Sequence, residues 1–254
     1  MEDTIRVGRD RIWVEDSQGP GPAVLLLHPG IADSRCWDPI WPALSAERRA
    51  VRFDVRAFGR SPAATEPYSV VGDALAVLDH LGIESAHLVG CSIGGAASLD
   101  LAVHHPGRVR SLLLLCPAVN GYDWPDEPLL EQEYDALVAA DDQEGLFQLG
   151  VRRWLAAGLD PVVEAIVRDA GKAQANEEEF ATAVDPTYDR LGEITVPTVL
   201  MVGDVDNPTL VTADLAAADR IPGCRLVMMP GVDHLPMMRE PEQVLAEALA
   251  LSAG

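Results

Sequence analysis

The chain has 254 residues, of which 48% are hydrophobic, so one large domain with a substantial core is expected. Its 40 acidic and 19 basic residues give a net charge of −21, which disfavours nucleic acid and anionic membranes as partners. No apolar run approaches the roughly 20 residues of a membrane-spanning helix, and the acidic first residues do not resemble a signal peptide.

Eight strand-like segments are predicted along the chain. Residues 4–7 and 11–15 flank a Gly-Arg-Asp turn and predict an antiparallel hairpin. Short apolar runs bounded by turn residues then predict buried parallel strands at 23–27, 51–55, 86–90, 111–116, 197–202 and 225–229. Helical spacing lies between most of them, at 70–81, 93–104, 208–220 and 240–251. This alternation indicates a mostly parallel sheet of about eight strands with helices on both faces.

The alternation is interrupted between residues 120 and 190, where no strand-like run is found. The segments there are helical or rich in Pro, Asp and Glu, and they hold 17 of the 40 acidic residues but only five of the 19 basic ones. Seven of the 13 aromatic residues also lie there. We therefore expect a helical cap at 120–190, inserted into a core formed by residues 1–119 and 191–254.

A single serine stands at the end of an apolar run and is flanked by glycines. Residues 88–95 read Leu-Val-Gly-Cys-Ser-Ile-Gly-Gly, so the predicted strand 86–90 passes through Ser92 into the predicted helix 93–104. Gly90 and Gly94 let the backbone turn sharply and let the helix pack close to the strand, which leaves the serine hydroxyl exposed. This context predicts Ser92 as a catalytic nucleophile.

A serine nucleophile needs a base, usually histidine, and the histidine needs an acid. After such a turn, the acid and then the histidine are expected in loops that follow late strands. Of the six histidines only His234 follows a late strand in a glycine loop, so His234 is the predicted base. The others end or flank helices and strands, where structural roles are expected: His28, His80, His87, His104 and His105.

Two aspartates compete for the role of the acid. Asp204 and Asp206 both follow the predicted strand 197–202. Asp206 lies deeper in the loop and is favoured because it reaches further toward His234. Asp204 remains the alternative, since Asp206 with Asn207 and Pro208 also fits a helix cap.

Five segments together make the sequence resemble the α/β-hydrolase superfamily. They are His-Pro-Gly at 28–30, Asp-Val-Arg-Ala-Phe-Gly-Arg-Ser at 54–61, Gly-Cys-Ser-Ile-Gly-Gly at 90–95, Gly-Asp-Val-Asp at 203–206 and Gly-Val-Asp-His at 231–234. The chain is similar to small capped esterases and lactonases, including the 3-oxoadipate enol-lactonase-like group. The resemblance implies an α/β-hydrolase fold with Asp206 as the triad acid, and a structural turn in which neither Arg56 nor Arg60 is catalytic.

The resemblance also implies an oxyanion hole made of two backbone N–H groups. One belongs to the residue after the nucleophile, Ile93, and the other to the residue at the position of Gly30. Pro29 has no N–H and cannot be the donor, and Ile31 remains the alternative to Gly30. Such donors stabilise the negative charge that acyl transfer places on the carbonyl oxygen.

The substrate pocket is expected between the sheet and the cap. Trp124 and Trp154 are the candidates to line it, although these aromatic residues also suit a small core within the cap. The acidic composition of the cap favours a neutral or cationic substrate, unless its charges are simply a solvated surface.

The leading hypothesis is a serine hydrolase that acts on a small carboxylic ester or lactone. A C–C hydrolase or perhydrolase with the same triad is one alternative, and a non-catalytic small-ligand receptor on the same fold is another. No metal or nucleotide cofactor is predicted. The four cysteines lack a CxxC pair and predict free thiols in a reducing cytoplasm, and Cys91 is expected to point away from the site.

Overall fold

The computed structural model describes residues 1–182 and 184–253, and within these ranges eight strands form a single sheet. The strands are β1 (Glu2–Val7), β2 (Asp10–Asp16), β3 (Ala23–Leu27), β4 (Arg49–Phe53), β5 (Ala86–Cys91), β6 (Val109–Leu115), β7 (Thr198–Gly203) and β8 (Arg225–Met229). Their order in the sheet is β1-β2-β4-β3-β5-β6-β7-β8. The pairs β1–β2 and β2–β4 are antiparallel and the others parallel, which confirms the predicted mostly parallel sheet.

Ten α-helices accompany the sheet in the described ranges. They are α1 (Trp41–Glu47), α2 (Val70–His80), α3 (Ile93–His104), α4 (Pro128–Ala139), α5 (Gln143–Trp154), α6 (Pro161–Gly171), α7 (Gln174–Phe180), α8 (Pro208–Arg220), α9 (Pro236–Arg239) and α10 (Pro241–Leu251). The prediction missed α1, whose seven residues bury only Leu44 and therefore show no helical periodicity. None of these helices combines the length and the apolar character needed to cross a membrane.

Successive side chains of the strands alternate between two hydrophobic cores. On β3, Leu25 and Leu27 pack with α2, α3 and α8, whereas Val24 and Leu26 pack with α1 and α10. This alternation follows from the period of two in a strand, and it explains why β3 is apolar throughout. The helices on both faces were expected from the sequence.

The strand predicted at 51–55 lies two residues earlier, because the chain leaves the sheet at Asp54. The Asp54 carboxylate accepts hydrogen bonds from the backbone N–H groups of Ser34 and Arg60, both at 2.8 Å. Its backbone carbonyl accepts one from the Ser61 hydroxyl at 2.6 Å. The motif at 54–61 thus organises a turn by hydrogen bonding.

The guanidinium of Arg56 is buried and lies 2.7 Å from carboxylate oxygens of both Asp10 and Asp73. Arg60 stacks on the ring of Trp13, with its guanidinium carbon 3.8 Å from the ring centroid. Both arginines therefore make structural contacts with other residues of the range 10–73.

The helices α4–α7 lie between β6 and β7, in the segment proposed as the cap. The two ends of this segment meet, because the Thr187 N–H donates to the Asn120 carbonyl at 3.0 Å. Both side chains also donate to the carboxylate of Asp100 on α3, Asn120 at 2.6 Å and Thr187 at 2.9 Å. Asp100 therefore ties both ends of the segment to the helix that follows Ser92.

We expect Asp100 to make stability depend on pH. Burial raises the pKa of Asp100 to about 6, although the hydrogen bonds from Thr187 and Asn120 act in the opposite direction. Between about pH 4 and pH 6 the folded state then binds this proton more tightly than the unfolded state, so this group lowers stability as pH rises. Its contribution is roughly 1–3 kcal/mol.

Urea unfolding of wild type and Asp100→Asn across pH 4.5–7.5 measures that contribution. As pH rises through this range, the free energy of unfolding of wild type should fall relative to that of Asp100→Asn. Parallel curves would contradict the assignment. A constant loss from one missing hydrogen bond in the variant does not affect the slope.

Candidate active site

Ser92 occupies the turn between β5 and α3, where the backbone is held in a sparsely populated conformation. Its φ of 52° and ψ of −116° are unfavourable for a residue with a side chain. The surrounding hydrogen bonds maintain this conformation: the Ser92 N–H donates to Leu115 at 3.1 Å, and its carbonyl accepts from Ala96 and Ala118. The half-buried serine is therefore fixed at the carboxyl end of the sheet and just before the N-terminus of α3.

The glycines beside Ser92 are required by close backbone approaches. A Cβ on Gly90 would lie 2.3 Å from the carbonyl oxygen of Gly94, and a Cβ on Gly94 would lie 2.2 Å from that of Leu27. Real Cβ atoms do not come this close to a carbonyl oxygen. The absence of side chains thus lets α3 pack directly on β3 and β5.

Gly94→Ala is expected to destabilise the fold by about 2–4 kcal/mol, because the backbone of α3 must move away from β3. Gly150→Ala is the matched control, since a Cβ at Gly150 in α5 meets nothing within 4 Å. That control should be neutral or stabilising by up to about 1 kcal/mol. Urea unfolding of both variants checks the prediction, and equal effects would refute the packing argument.

His234 and Asp206 form a buried hydrogen-bonded pair. The Nδ1 atom of His234 lies 2.8 Å from Oδ2 of Asp206, and the two side chains are 1% and 0% exposed. Asp204 is elsewhere in the same loop, where its carboxylate accepts the Gly231 N–H at 2.6 Å. The structure therefore places Asp206, and not Asp204, against the predicted base.

The backbone of His234 is attached to two other elements. Its N–H donates to the carbonyl of Trp154 at 3.2 Å, and its carbonyl accepts the thiol of Cys91 at 3.5 Å. Because Cys91 directly precedes Ser92, the histidine loop touches the turn that carries the serine. The Cys91 thiol is directed toward this loop. Burial raises the pKa of the thiol well above its ordinary value, so the thiol stays protonated.

Of the two tryptophans predicted to line the pocket, Trp154 lies against the imidazole. The ring centroids of Trp154 and His234 are 4.4 Å apart with an interplanar angle of 34°. Trp124 is 39% exposed and packs edge-on against Tyr122, which in turn packs against Tyr188. Trp124 thus belongs to an aromatic cluster near the ends of the inserted segment.

Asp233 and Arg239 connect the loop of His234 to the inserted segment, and the sequence did not predict this. The buried Asp233 carboxylate accepts two hydrogen bonds from Arg239, at 2.8 and 3.0 Å, and one from the Ala157 N–H at 3.0 Å. Arg239 also donates to the Gly158 carbonyl at 2.6 Å. These contacts fasten the His234 loop to the α5–α6 connection, and no local sequence pattern signals a contact across 76 residues.

The proposed oxyanion donors are the N–H groups of Gly30 and Ile93, and Gly30 lies against the side chain of Ile93. A Cβ on Gly30 would lie 3.5 Å from Cδ1 of Ile93, the first residue of α3. His28 orients the Pro29–Gly30 peptide. Because its Nε2 accepts the Val55 N–H at 2.9 Å, its Nδ1 carries the proton and donates to the Pro29 carbonyl, also at 2.9 Å.

The hydrogen bonds to the Pro29 carbonyl orient the Gly30 N–H. The Pro29 carbonyl also accepts the Ala32 N–H at 3.1 Å, so two donors hold one side of the peptide plane. In a trans peptide the N–H points opposite to the carbonyl, so the Gly30 N–H is directed away from both donors. The alternative donor, the Ile31 N–H, belongs to the Gly30–Ile31 peptide and not to the peptide that His28 and Ala32 hold.

Cys116 is a third potential ligand beside the His234–Asp206 pair. One atom from each of the three side chains lies within 4.8 Å of the others. The 2.8 Å between Nδ1 and Oδ2 is a hydrogen-bond distance, whereas two ligands of one tetrahedral zinc lie about 3.3 Å apart. Burial also raises the pKa of the Cys116 thiol well above its ordinary value. The geometry therefore favours a hydrogen-bonded pair over a metal centre.

Asp214 on α8 is a buried acid near Asp206 that the sequence did not reveal. Among the described residues neither of its carboxylate oxygens has a hydrogen-bond partner. Burial, and then the nearby charge of Asp206, raise its pKa well above the ordinary value. The protonated form of Asp214 is thus favoured by its buried position beside the Asp206 carboxylate.

Taken together, these side chains are of the kinds that nucleophilic acyl transfer uses. The site combines a serine on a strained turn with an imidazole held by a carboxylate, and Gly30 lies against the side chain of Ile93 at the start of α3. The α/β-hydrolase resemblance of the sequence was carried by these same loops. A family model described as "Alpha/beta hydrolase family" matches residues 24–248.

The chain belongs to this family. Among curated proteins, a pimeloyl-[acyl-carrier protein] methyl ester esterase of Aeromonas hydrophila subsp. hydrophila is 27% identical over 248 residues, covering 89% of this chain and 94% of the esterase. 3-Oxoadipate enol-lactonase 1 of Acinetobacter baylyi is 24% identical over 237 residues, covering 88% and 86%. The solved enol-lactonase from Burkholderia xenovorans LB400 has the same fold, with a TM-score of 0.81, 23% identity and coverage of 98% and 99%.

Proposed function

We propose that this α/β hydrolase cleaves a small carboxylic ester or lactone through an acyl-enzyme intermediate. The observation that carries the proposal is the buried Asp206–His234 pair beside the strained turn of Ser92. An imidazole held at Nδ1 by a carboxylate keeps Nε2 free to accept the serine proton. The two relatives named as an ester hydrolase and a lactonase support the same reaction class.

Each step of the reaction has a group that fits it. Ser92 Oγ attacks the carbonyl carbon while His234 accepts the hydroxyl proton, and the N–H groups of Gly30 and Ile93 stabilise the oxyanion. The tetrahedral intermediate then expels the alkoxide, which takes the proton from His234. Water, activated by His234, hydrolyses the acyl-serine in the same way and releases the acid.

The role of Asp206 is electrostatic and orientational. Its carboxylate holds the imidazole in the tautomer that has the proton on Nδ1, and it stabilises the imidazolium formed during each proton transfer. Trp154 covers one side of the imidazole and reduces its contact with water. Asp233 and Arg239 fix the loop on which the imidazole is carried.

A panel of p-nitrophenyl esters from acetate to laurate, together with lactones of similar size, tests the proposal. Stopped-flow detection should reveal a burst of nitrophenolate equivalent to the enzyme present, with an optimum in acyl length. Turnover of a vinylogous diketone without ester hydrolysis would instead indicate C–C cleavage. Binding of a small ligand without any turnover would favour a receptor.

A further inference from the structure

The basic residues of the cap all have acidic partners. Each of the five lies between 2.5 and 2.8 Å from a carboxylate oxygen, in the pairs Arg152–Glu133, Arg153–Glu127, Arg168–Glu144, Lys172–Asp169 and Arg190–Glu193. Because segment 120–190 holds 17 acidic residues and five basic ones, its remaining charge is negative. The net negative charge of the cap therefore repels an anionic substrate.

The arginines on the loops that carry the site are also neutralised. Arg35, which follows the Gly30 loop, lies 2.6 Å from Asp33 and 2.9 Å from Asp169. Arg239, which follows His234, lies 2.8 Å from Asp233. To bind a carboxylate of the substrate, either guanidinium would have to release a carboxylate of the protein.

The indole ring of Trp154 contacts both Arg153 and the imidazole of His234. Its guanidinium carbon lies 4.9 Å from the ring centroid of Trp154, and that ring lies 4.4 Å from the imidazole. Glu127 holds this guanidinium at 2.6 Å, with side-chain exposures of 25% and 30% for Arg153 and Glu127. A pair that is mostly shielded from water is screened less than a surface pair.

We propose that the site selects neutral or cationic acyl groups against acyl groups that carry a carboxylate, and that Glu127 determines this specificity by neutralising Arg153. The inference rests on the proposed ester hydrolysis and adds the charge class of the substrate. A substrate carboxylate near Trp154 would have to displace Glu127 from Arg153. It would otherwise lie unpaired in the negative field of the cap, which is costly where water is restricted.

Three esters of matched length test the charge class: p-nitrophenyl hexanoate, methyl p-nitrophenyl adipate and mono-p-nitrophenyl adipate. The first two are neutral, and the second controls for polarity at the far end of the acyl chain. At low ionic strength, kcat/KM of wild type should be at least about tenfold lower for the anionic ester than for the neutral diester. Added 0.5 M NaCl should reduce this ratio, because salt screens the field.

Variants of the pair test the role of Glu127. Glu127→Gln releases Arg153 and should reduce the neutral-to-anionic ratio about fivefold. Glu133→Gln is the matched control, because it makes the same charge change at the partner of the adjacent Arg152, and it should alter the ratio less than about twofold. Arg153→Gln leaves Glu127 unpaired and should increase the ratio, which provides an independent variant if Glu127→Gln is poorly folded.

The outcomes separate the inference from the proposed function. Equal rates of wild type on the anionic and neutral esters would overturn the charge class while leaving ester hydrolysis intact. Equal effects of Glu127→Gln and Glu133→Gln would overturn the role assigned to Glu127. Failure of folded wild type to hydrolyse any of the three esters would contradict the proposed function itself.

Discussion

Ser92→Ala is expected to lower kcat for ester hydrolysis by roughly 10⁵–10⁶-fold and to abolish the burst. The variant lacks the oxygen that we propose to form the acyl-enzyme, and the proposed oxyanion donors and binding contacts by themselves would support only slow attack by water. Stopped-flow and steady-state kinetics on the best p-nitrophenyl ester measure the effect. A residual burst would exclude Ser92 as the nucleophile.

The control for this variant is its fold. Alanine at position 92 retains the positive φ of 52°, so its free energy of unfolding should remain close to that of wild type. Ser92→Gly should be equally inactive but more stable by about 1 kcal/mol, because glycine adopts this conformation without strain. Loss of activity together with a gain of stability cannot be explained by misfolding.

Asp206→Asn is expected to lower kcat about 10⁴-fold at neutral pH with little change in KM. The amide can donate a hydrogen bond to Nδ1 of His234, which stabilises the tautomer that has its proton on Nε2. That tautomer cannot accept the proton of Ser92. Steady-state kinetics on the preferred ester, measured across pH 6–10, check the size of the loss.

Asp204→Asn is the matched control, since it makes the same chemical change two residues earlier in the same loop. Asp204 is exposed and accepts the Gly231 N–H, which an asparagine oxygen also accepts. This variant should retain activity within about threefold, as most surface substitutions do. A larger loss for Asp204→Asn than for Asp206→Asn would reverse the assignment of the acid.

Composition alone does not distinguish Trp154, which lies against His234, from Trp124, which packs against Tyr122. Both are tryptophans in the same acidic segment, and the sequence offers no periodicity that distinguishes them. Trp154 ends α5 at the point where its carbonyl meets the His234 N–H, so its ring reaches the imidazole. Trp124 lies before α4 and packs with Tyr122 instead. Only the path of the connections between helices separates the two.

The sequence by itself determined the order of the eight strands and of four helices along the chain, the mostly parallel sheet, and Ser92 and His234 as candidates. These features depend on periodicity, turn residues and glycines within about ten residues of each other, and such local preferences act in every conformation of the chain. The predicted end of β4 was wrong by two residues. A hydrogen bond from the distant Ser34 N–H to Asp54 helps to end the strand there.

The tertiary structure decided which groups meet. The contact of His234 with Cys91 joins residues 143 apart, and that of Asp233 with Ala157 joins residues 76 apart. The meeting of Asp206 with His234, the raised pKa of the buried Asp214 and the pairing of Arg153 with Glu127 depend equally on how loops cross the edge of the sheet. Burial and hydrogen bonding at such crossings arise only when distant segments pack together, and no local pattern records them.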